Sequence, residues 1–238
     1  MAGTASLRQI LSTLRRYYGK PERPISRDPF QLILWEQVAY LVPDAQRRRA
    51  FAALRARIGL TPAAILAASG ARLQAVARLG GPIAVAVRAA RLRQSAELAE
   101  GRWDGDLGTV LRLPLPEARQ ALARFAMIGE PGADKILVFA RRARLLPVDS
   151  NGLRVLARVG IITSGKDYRT TYRRARETVA PALPKDPDAL IAAYYLLRRH
   201  GQELCRRSEP ACSRCPLHTR CAFASRAGRG AEPAGTGR

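Results

Sequence analysis

Apolar residues recur at intervals of three and four through most of this 238-residue chain, and strand-like alternation is almost absent. That periodicity is what one apolar helical stripe per segment produces, so the sequence reads as about ten short helices joined by short loops, an all-α fold. The first candidate is "SLRQILSTLRRYYG". Asp28 then caps "PFQLILWEQVAYLV", with Pro29 in the first turn, where a missing N–H costs nothing. "DAQRRRAFAALRARIG", "TPAAILAAS", "ARLQAVARLG" and the long "GPIAVAVRAARLRQSAELAEG" follow. "PEARQALARFAM" and "GADKILVFARRA" flank a Gly/Pro turn, and "SNGLRVLARVG", "DYRTTYRRARETVA" and "DPDALIAAYYLLRRHG" complete the series. The division expected is an N-terminal helix and linker over 1–27, a helical lobe over 28–144, its C-terminal counterpart over 145–223, and a tail over 224–238. The tail, "ASRAGRGAEPAGTGR", lacks large apolar residues and is expected to be disordered. No internal repeat is visible.

Lys and Arg number 41 against 19 Asp and Glu, a formal charge of +22. Charge of that size predicts a polyanionic partner and strongly salt-dependent binding, and nucleic acid is the partner expected. No apolar run approaches the ~18 residues of a spanning helix, because Arg88 breaks "PIAVAVRAARL". The first residues lack a secretory apolar region. They carry Arg and no acid before Glu22, a pattern compatible with an organelle transit peptide, but read here as an ordinary amphipathic helix. A cytoplasmic, nucleoid-associated monomer with no membrane partner is expected.

All four cysteines fall in "CRRSEPACSRCPLHTRC", Cys205, Cys212, Cys215 and Cys221, with spacing C-x6-C-x2-C-x5-C. With no export signal, such clustering points to a metal site rather than disulfides. Structural zinc usually takes two CxxC-type knuckles, and only Cys212–Cys215 provides one here. One compact loop of four thiolates suits an iron–sulfur cubane, with zinc as the alternative. His200 and His218 are expected to be packing or surface residues.

The spacing resembles, residue for residue, the cluster loop of the endonuclease III family of DNA glycosylases, where the first cysteine also shortly follows a helix ending in His-Gly, here His200-Gly201. The likeness extends upstream, over roughly residues 28–222. Phe125 to Gly129 overlay the family's Leu-Pro-Gly-Val-Gly hairpin, Ala133 its helix alanine, and Val148-Asp149 its Val-Asp. The resemblance implies two helical lobes with a DNA cleft between them, a helix-hairpin-helix over 116–143, and a [4Fe-4S] cluster in the loop 205–221. It further implies a base-excision-repair enzyme that binds double-stranded DNA, flips a damaged or mismatched base and hydrolyses its N-glycosidic bond. Asp149 would then stabilise positive charge on the deoxyribose and orient or deprotonate water. Arg206, Arg207 and Arg214 would hold the cluster loop against phosphate, and Met127, Gly129 and Gly132 would contact DNA from the hairpin.

Several positions depart from the pattern. Bifunctional members carry a Schiff-base lysine two residues after the last hairpin glycine, where this chain has Pro131. The expectation is therefore a monofunctional glycosylase; the alternatives are a glycosylase/lyase using Lys135, one turn further on, and a non-catalytic iron–sulfur damage-binding protein. Ala126 and Met127 replace the hairpin's Pro-Gly. Leu41 stands where endonuclease III has its duplex-plugging glutamine, and Leu41 or Tyr40 is expected to act as an apolar wedge. Glu36 matches the step of the general-acid glutamate in the adenine-excising branch, a role that a raised pKa beside Trp35 would support.

Overall fold

A computed structural model describes residues 6–229, and among them the regular elements are all helical. The chain divides into two units: Met1–Arg23 with Arg144–Arg238, and Pro24–Ala143.

The second unit holds α2 (Pro29–Gln37), α3 (Asp44–Arg57), α4 (Pro62–Ala67), α5 (Gly70–Leu79), α6 (Val85–Trp103), a 3-10 turn (Leu107–Arg112), α7 (Leu115–Leu122) and α8 (Glu130–Phe139). Asp28 caps α2 as expected, its carboxylate accepting from the Gln31 amide at 2.8 Å. Thr61 and Ser69 cap α4 and α5 in the same way. The core stripe of α6 is short-chained, with Ala89, Ala96 and Ala99 around Leu92, and this allows α4 and α5 to pack closely against it.

The first unit holds α1 (Leu7–Tyr18), α9 (Ser150–Arg158), α10 (Tyr168–Val179), α11 (Pro187–Glu203), short 3-10 turns at Ala180–Ala182, Cys212–Arg214 and His218–Arg220, and α12 (Ala222–Arg229). A reciprocal pair of bonds between Ser6 and Gln9 starts α1. Leu7, Ile10 and Leu14 of α1, Leu153 and Leu156 of α9, and Leu190, Tyr194 and Leu197 of α11 are all buried. α11 packs on both α1 and α9.

Three local expectations are revised. The long helix begins at Val85 rather than near Gly81, because Gly81 (φ +113°) and Ala84 (φ +51°) take left-handed conformations that turn the chain just before it. Residues 107–112, which lie between the expected helices, wind into a 3-10 turn capped by Asp106. The segment from Ala224, expected to be disordered, continues α12 to Arg229, and residues 230–238 lie outside the described residues.

Candidate active site and metal centre

Asp149 opens α9. Its Oδ1 accepts from the backbone amides of Asn151 and Gly152, both at 2.9 Å, so the side chain caps the helix. Oδ2 accepts from the Asn151 side-chain amide at 3.3 Å and from the Arg198 guanidinium of α11 at 2.6 Å. The side chain remains 24% exposed, enough for a small reactant to reach it. Burial pushes its pKa up, but Arg198 and the amide donors more than reverse this and hold it below the usual carboxylate value. Asp149 is thus an anion at neutral pH, suited to stabilising positive charge and only weakly basic.

Close approach of α11 to α9 sets this geometry. An ideal Cβ on Gly201 would stand 2.7 Å from both the Cβ and the carbonyl oxygen of Asn151, so only glycine fits there. Arg154 of α9 donates to the carbonyls of Gly201 and Cys205 and to Asn151 Oδ1, linking the aspartate's neighbour to the first cysteine. A cavity of about 710 Å³ beside α9 is lined by Arg154, Arg158, Arg206 and Arg207 together with Ser150 and Asn151.

The candidate hairpin lies in the other unit, between α7 and α8. Met127 adopts φ +70° at the turn, at the position that the family pattern gives to glycine, and it is exposed. The left-handed turn therefore persists with a side chain on it, at a cost of roughly 1 kcal/mol. Gly129 precedes α8, and Gly132 lies in its first turn, where backbone amides have no intrahelical partner. Sequence reasoning missed what holds this motif. Arg119 of α7 pairs with the fully buried Asp134 of α8 at 2.7 Å. Gln37, buried at the end of α2, donates to Ser95 at 2.8 Å and to the Ala126 carbonyl at 2.9 Å.

Glu36 and Lys135, expected in separate roles, meet in an ion pair of 2.7 Å, with side chains 25% and 15% exposed. The contact engages the two side chains with each other, joining α2 to α8. Trp35 packs instead on Phe51 and under Arg47.

Tyr40 and Leu41 are 40% and 74% exposed, and Leu41 sits at φ +51°. Their loop is held by Arg88, a buried guanidinium that donates to the carbonyls of Val38 (2.7 Å), Ala77 (2.6 Å), Ile83 (3.0 Å) and Gly81. The hydropathy pattern had marked Arg88 only as a charge interrupting an apolar run.

All four cysteines are free thiols lining one pocket walled by Val159, Leu204, Leu217 and Phe223. Burial, with the other three thiols adding, pushes Cys215 up to about 11, and burial raises Cys205 as well. Arg158 steadies the loop, donating to the Arg206 carbonyl at 2.6 Å, the Arg207 carbonyl at 3.0 Å and Cys205 Sγ at 3.4 Å. His200 is buried and pushed down to about 4 by its burial, so its ring is neutral. Its Nδ1 meets the Tyr18 hydroxyl at 3.1 Å and its Nε2 meets Cys215 Sγ at 3.5 Å, a packing role, while His218 bonds the Cys212 carbonyl. As placed, no group of three or more His, Cys, Asp or Glu among the described residues is arranged to hold a metal ion. The apolar, four-thiol pocket nevertheless has the donor set that a thiolate-bound cluster uses. Arg206, Arg207 and Arg214 are exposed.

Fold and site together define an all-α protein with a hairpin between two helices, an aspartate capping a helix downstream of it, and a C-terminal four-cysteine loop. No family model matches the chain. It is 25% identical over 221 residues to the thymine-DNA glycosylase of Aeropyrum pernix, covering 92% of this chain and 94% of that one. It is 26% identical over 120 residues to endonuclease III of Sulfolobus acidocaldarius, half the length of each. The fold matches that of a trapped endonuclease III–DNA covalent intermediate with a TM-score of 0.73 at 18% identity, over 94% of this chain and 97% of that one. In sequence the chain is thus similar to DNA glycosylases of the endonuclease III type, and its fold is theirs.

Proposed function

We propose that the protein is a monofunctional DNA glycosylase that extrudes a damaged or mispaired base from duplex DNA and hydrolyses its N-glycosidic bond with water. The observation that carries this reading is Asp149, an ionised and partly exposed carboxylate fixed at the start of α9, in a chain whose Pro131 offers no amine. As the bond to the base lengthens, positive charge grows on the sugar. An anchored anion stabilises that charge without reorganising and gives the attacking water a hydrogen-bond acceptor. Extrusion costs a few kcal/mol, least at a mismatch or lesion. Leu41, the more exposed of the two candidate wedges, fills the vacated stack. The amides around Gly129 and Gly132, with Arg206, Arg207 and Arg214, take phosphates.

Cys205, Cys212, Cys215 and Cys221 would hold a [4Fe-4S] cluster, which when bound cross-links the loop and fixes its arginines. Arg158 and His200 shape that loop from outside the ligand set. Base hydrolysis needs no electron transfer, so this role is structural.

The test incubates the holo-protein with duplexes carrying thymine or uracil opposite guanine, thymine glycol, 8-oxoguanine, adenine opposite 8-oxoguanine, hypoxanthine or alkylated adenine. G·T and G·U come first, since a relative is named a thymine-DNA glycosylase. Strand scission only after alkali is expected on at least one duplex. Scission without alkali would replace this reading with a lyase, and tight binding without base release on any duplex would replace it with a damage-binding protein.

A further inference from the structure

We propose that Arg198 is a positioning residue for the reaction at Asp149: its guanidinium, 2.6 Å from Oδ2, fixes the carboxylate's outward oxygen. The inference rests on the glycosylase reading above and adds to it a residue that the sequence had not singled out.

Both lone-pair sites of Oδ1 are taken by the amides of Asn151 and Gly152. Only Oδ2 is left to face a substrate, and its strong partner is Arg198 at 2.6 Å. Arg198 lies one helical turn before Gly201, and the close backbone approach there determines how far its side chain must reach. The charged groups bearing on Asp149 are Arg198 from α11 and Arg154 on its own helix. The buried positions of α10, the other helix packed on α9, are Tyr172, Ala175 and Val179. Without Arg198, burial would still favour the neutral acid, opposed by the amide donors and the weaker influence of Arg154. At mildly acidic pH the carboxylate would then be lost, and with it the charge that answers the developing sugar cation. Arg198 is 21% exposed and so need not be buried by DNA to act. Its cost is that a cation beside Asp149 weakens the field at the sugar, so the arrangement exchanges some rate at high pH for a wider acid range.

Arg198→Leu, Arg198→Lys and Asp149→Asn would be compared with the wild type in two measurements. The first follows the Asp149 carboxyl carbon by NMR in protein labelled at aspartate, with Asp149→Asn identifying the signal. The second is the single-turnover rate of base release from pH 4.5 to 9 on a duplex that the wild type cleaves. In Arg198→Leu the Asp149 titration is expected to move to higher pH, and the rate to fall tenfold or more at pH 5 with a much smaller change at pH 8. Arg198→Lys is expected to restore the acid limb. If the titration does not move, the proposal is wrong whatever the enzyme cleaves. If it moves while the rate profiles keep one shape, Arg198 is structural and the positioning role falls. If it moves and the wild type releases no base from any duplex, the glycosylase reading fails and with it the catalytic part of this proposal.

Discussion

Arg88 makes an unusual demand on the fold: a guanidinium 2% exposed, with four backbone carbonyls as acceptors. Burial pushes its pKa down from the ordinary guanidinium value, with Arg47 adding to the effect. The carbonyls belong to the end of α5, the 81–83 loop and the 38–41 loop, so one side chain ties three stretches together. Gly80 seats against the Val38 carbonyl in the same place, and the Tyr40 amide donates to the Gly80 carbonyl at 3.2 Å. In Arg88→Met the apolar volume is largely kept and all four donors are lost. The Ala77 carbonyl still accepts from the Gly80 amide, which leaves the acceptors at Val38, Gly81 and Ile83 to be re-satisfied. At about 1–3 kcal/mol for each buried group left unpaired, and with water reaching some of them, the loss comes to about 3–5 kcal/mol. Relief from burying a charge offsets part of this, giving a net of about 3 kcal/mol. For a chain of this size that corresponds to a fall in melting temperature of about 6–12 °C. Scanning calorimetry measures it, and Arg88→Lys, with three donors and no planar fork, should recover less than half. Because Leu41 rides on the same loop, base release should fall more steeply than the folded fraction does. A melting temperature within about 2 °C of wild type would refute the clamp.

Other expectations follow from single contacts. Arg119→Met takes a guanidinium away from the fully buried Asp134 and should cost up to about 3–5 kcal/mol, whereas Asp134→Ala leaves Arg119, 20% exposed, able to hydrate and should cost less; equal losses in urea titrations would contradict this asymmetry. Lys135→Ala should change neither borohydride trapping, absent in both proteins, nor the need for alkali, since Lys135 is committed to Glu36 at 2.7 Å. Leu41→Ala should slow base release tenfold or more while leaving the melting temperature within about 2 °C, because that side chain is 74% exposed. Cys212→Ser should lower the iron content and the visible absorption of the purified protein, and a full four iron per chain in that variant would exclude Cys212 as a ligand.

How much of this was legible beforehand depends on how local each cause is. The helix start at Asp28 is written in a few adjacent residues, because a cap is a bond to an amide two or three positions on. The gathering of the thiols is local too, since one loop carries them all. Arg198, Arg88 and the Arg119–Asp134 pair were not legible, because charged residues in a chain of net charge +22 look alike until the fold selects which ones go inside. Glu36 and Lys135 show the same limit from the other side. Each has a role argued from its neighbours in sequence, and the contact that joins them comes from far apart along the chain. The one trace the sequence offered was steric: the Gly201 that follows His200 is required by the approach of α11 to Asn151, and that approach is what brings an arginine of α11 to the aspartate of α9. In this chain the proposed catalytic carboxylate is held by a cap local to its own helix, while its charged partner comes from a helix about fifty residues further along the chain.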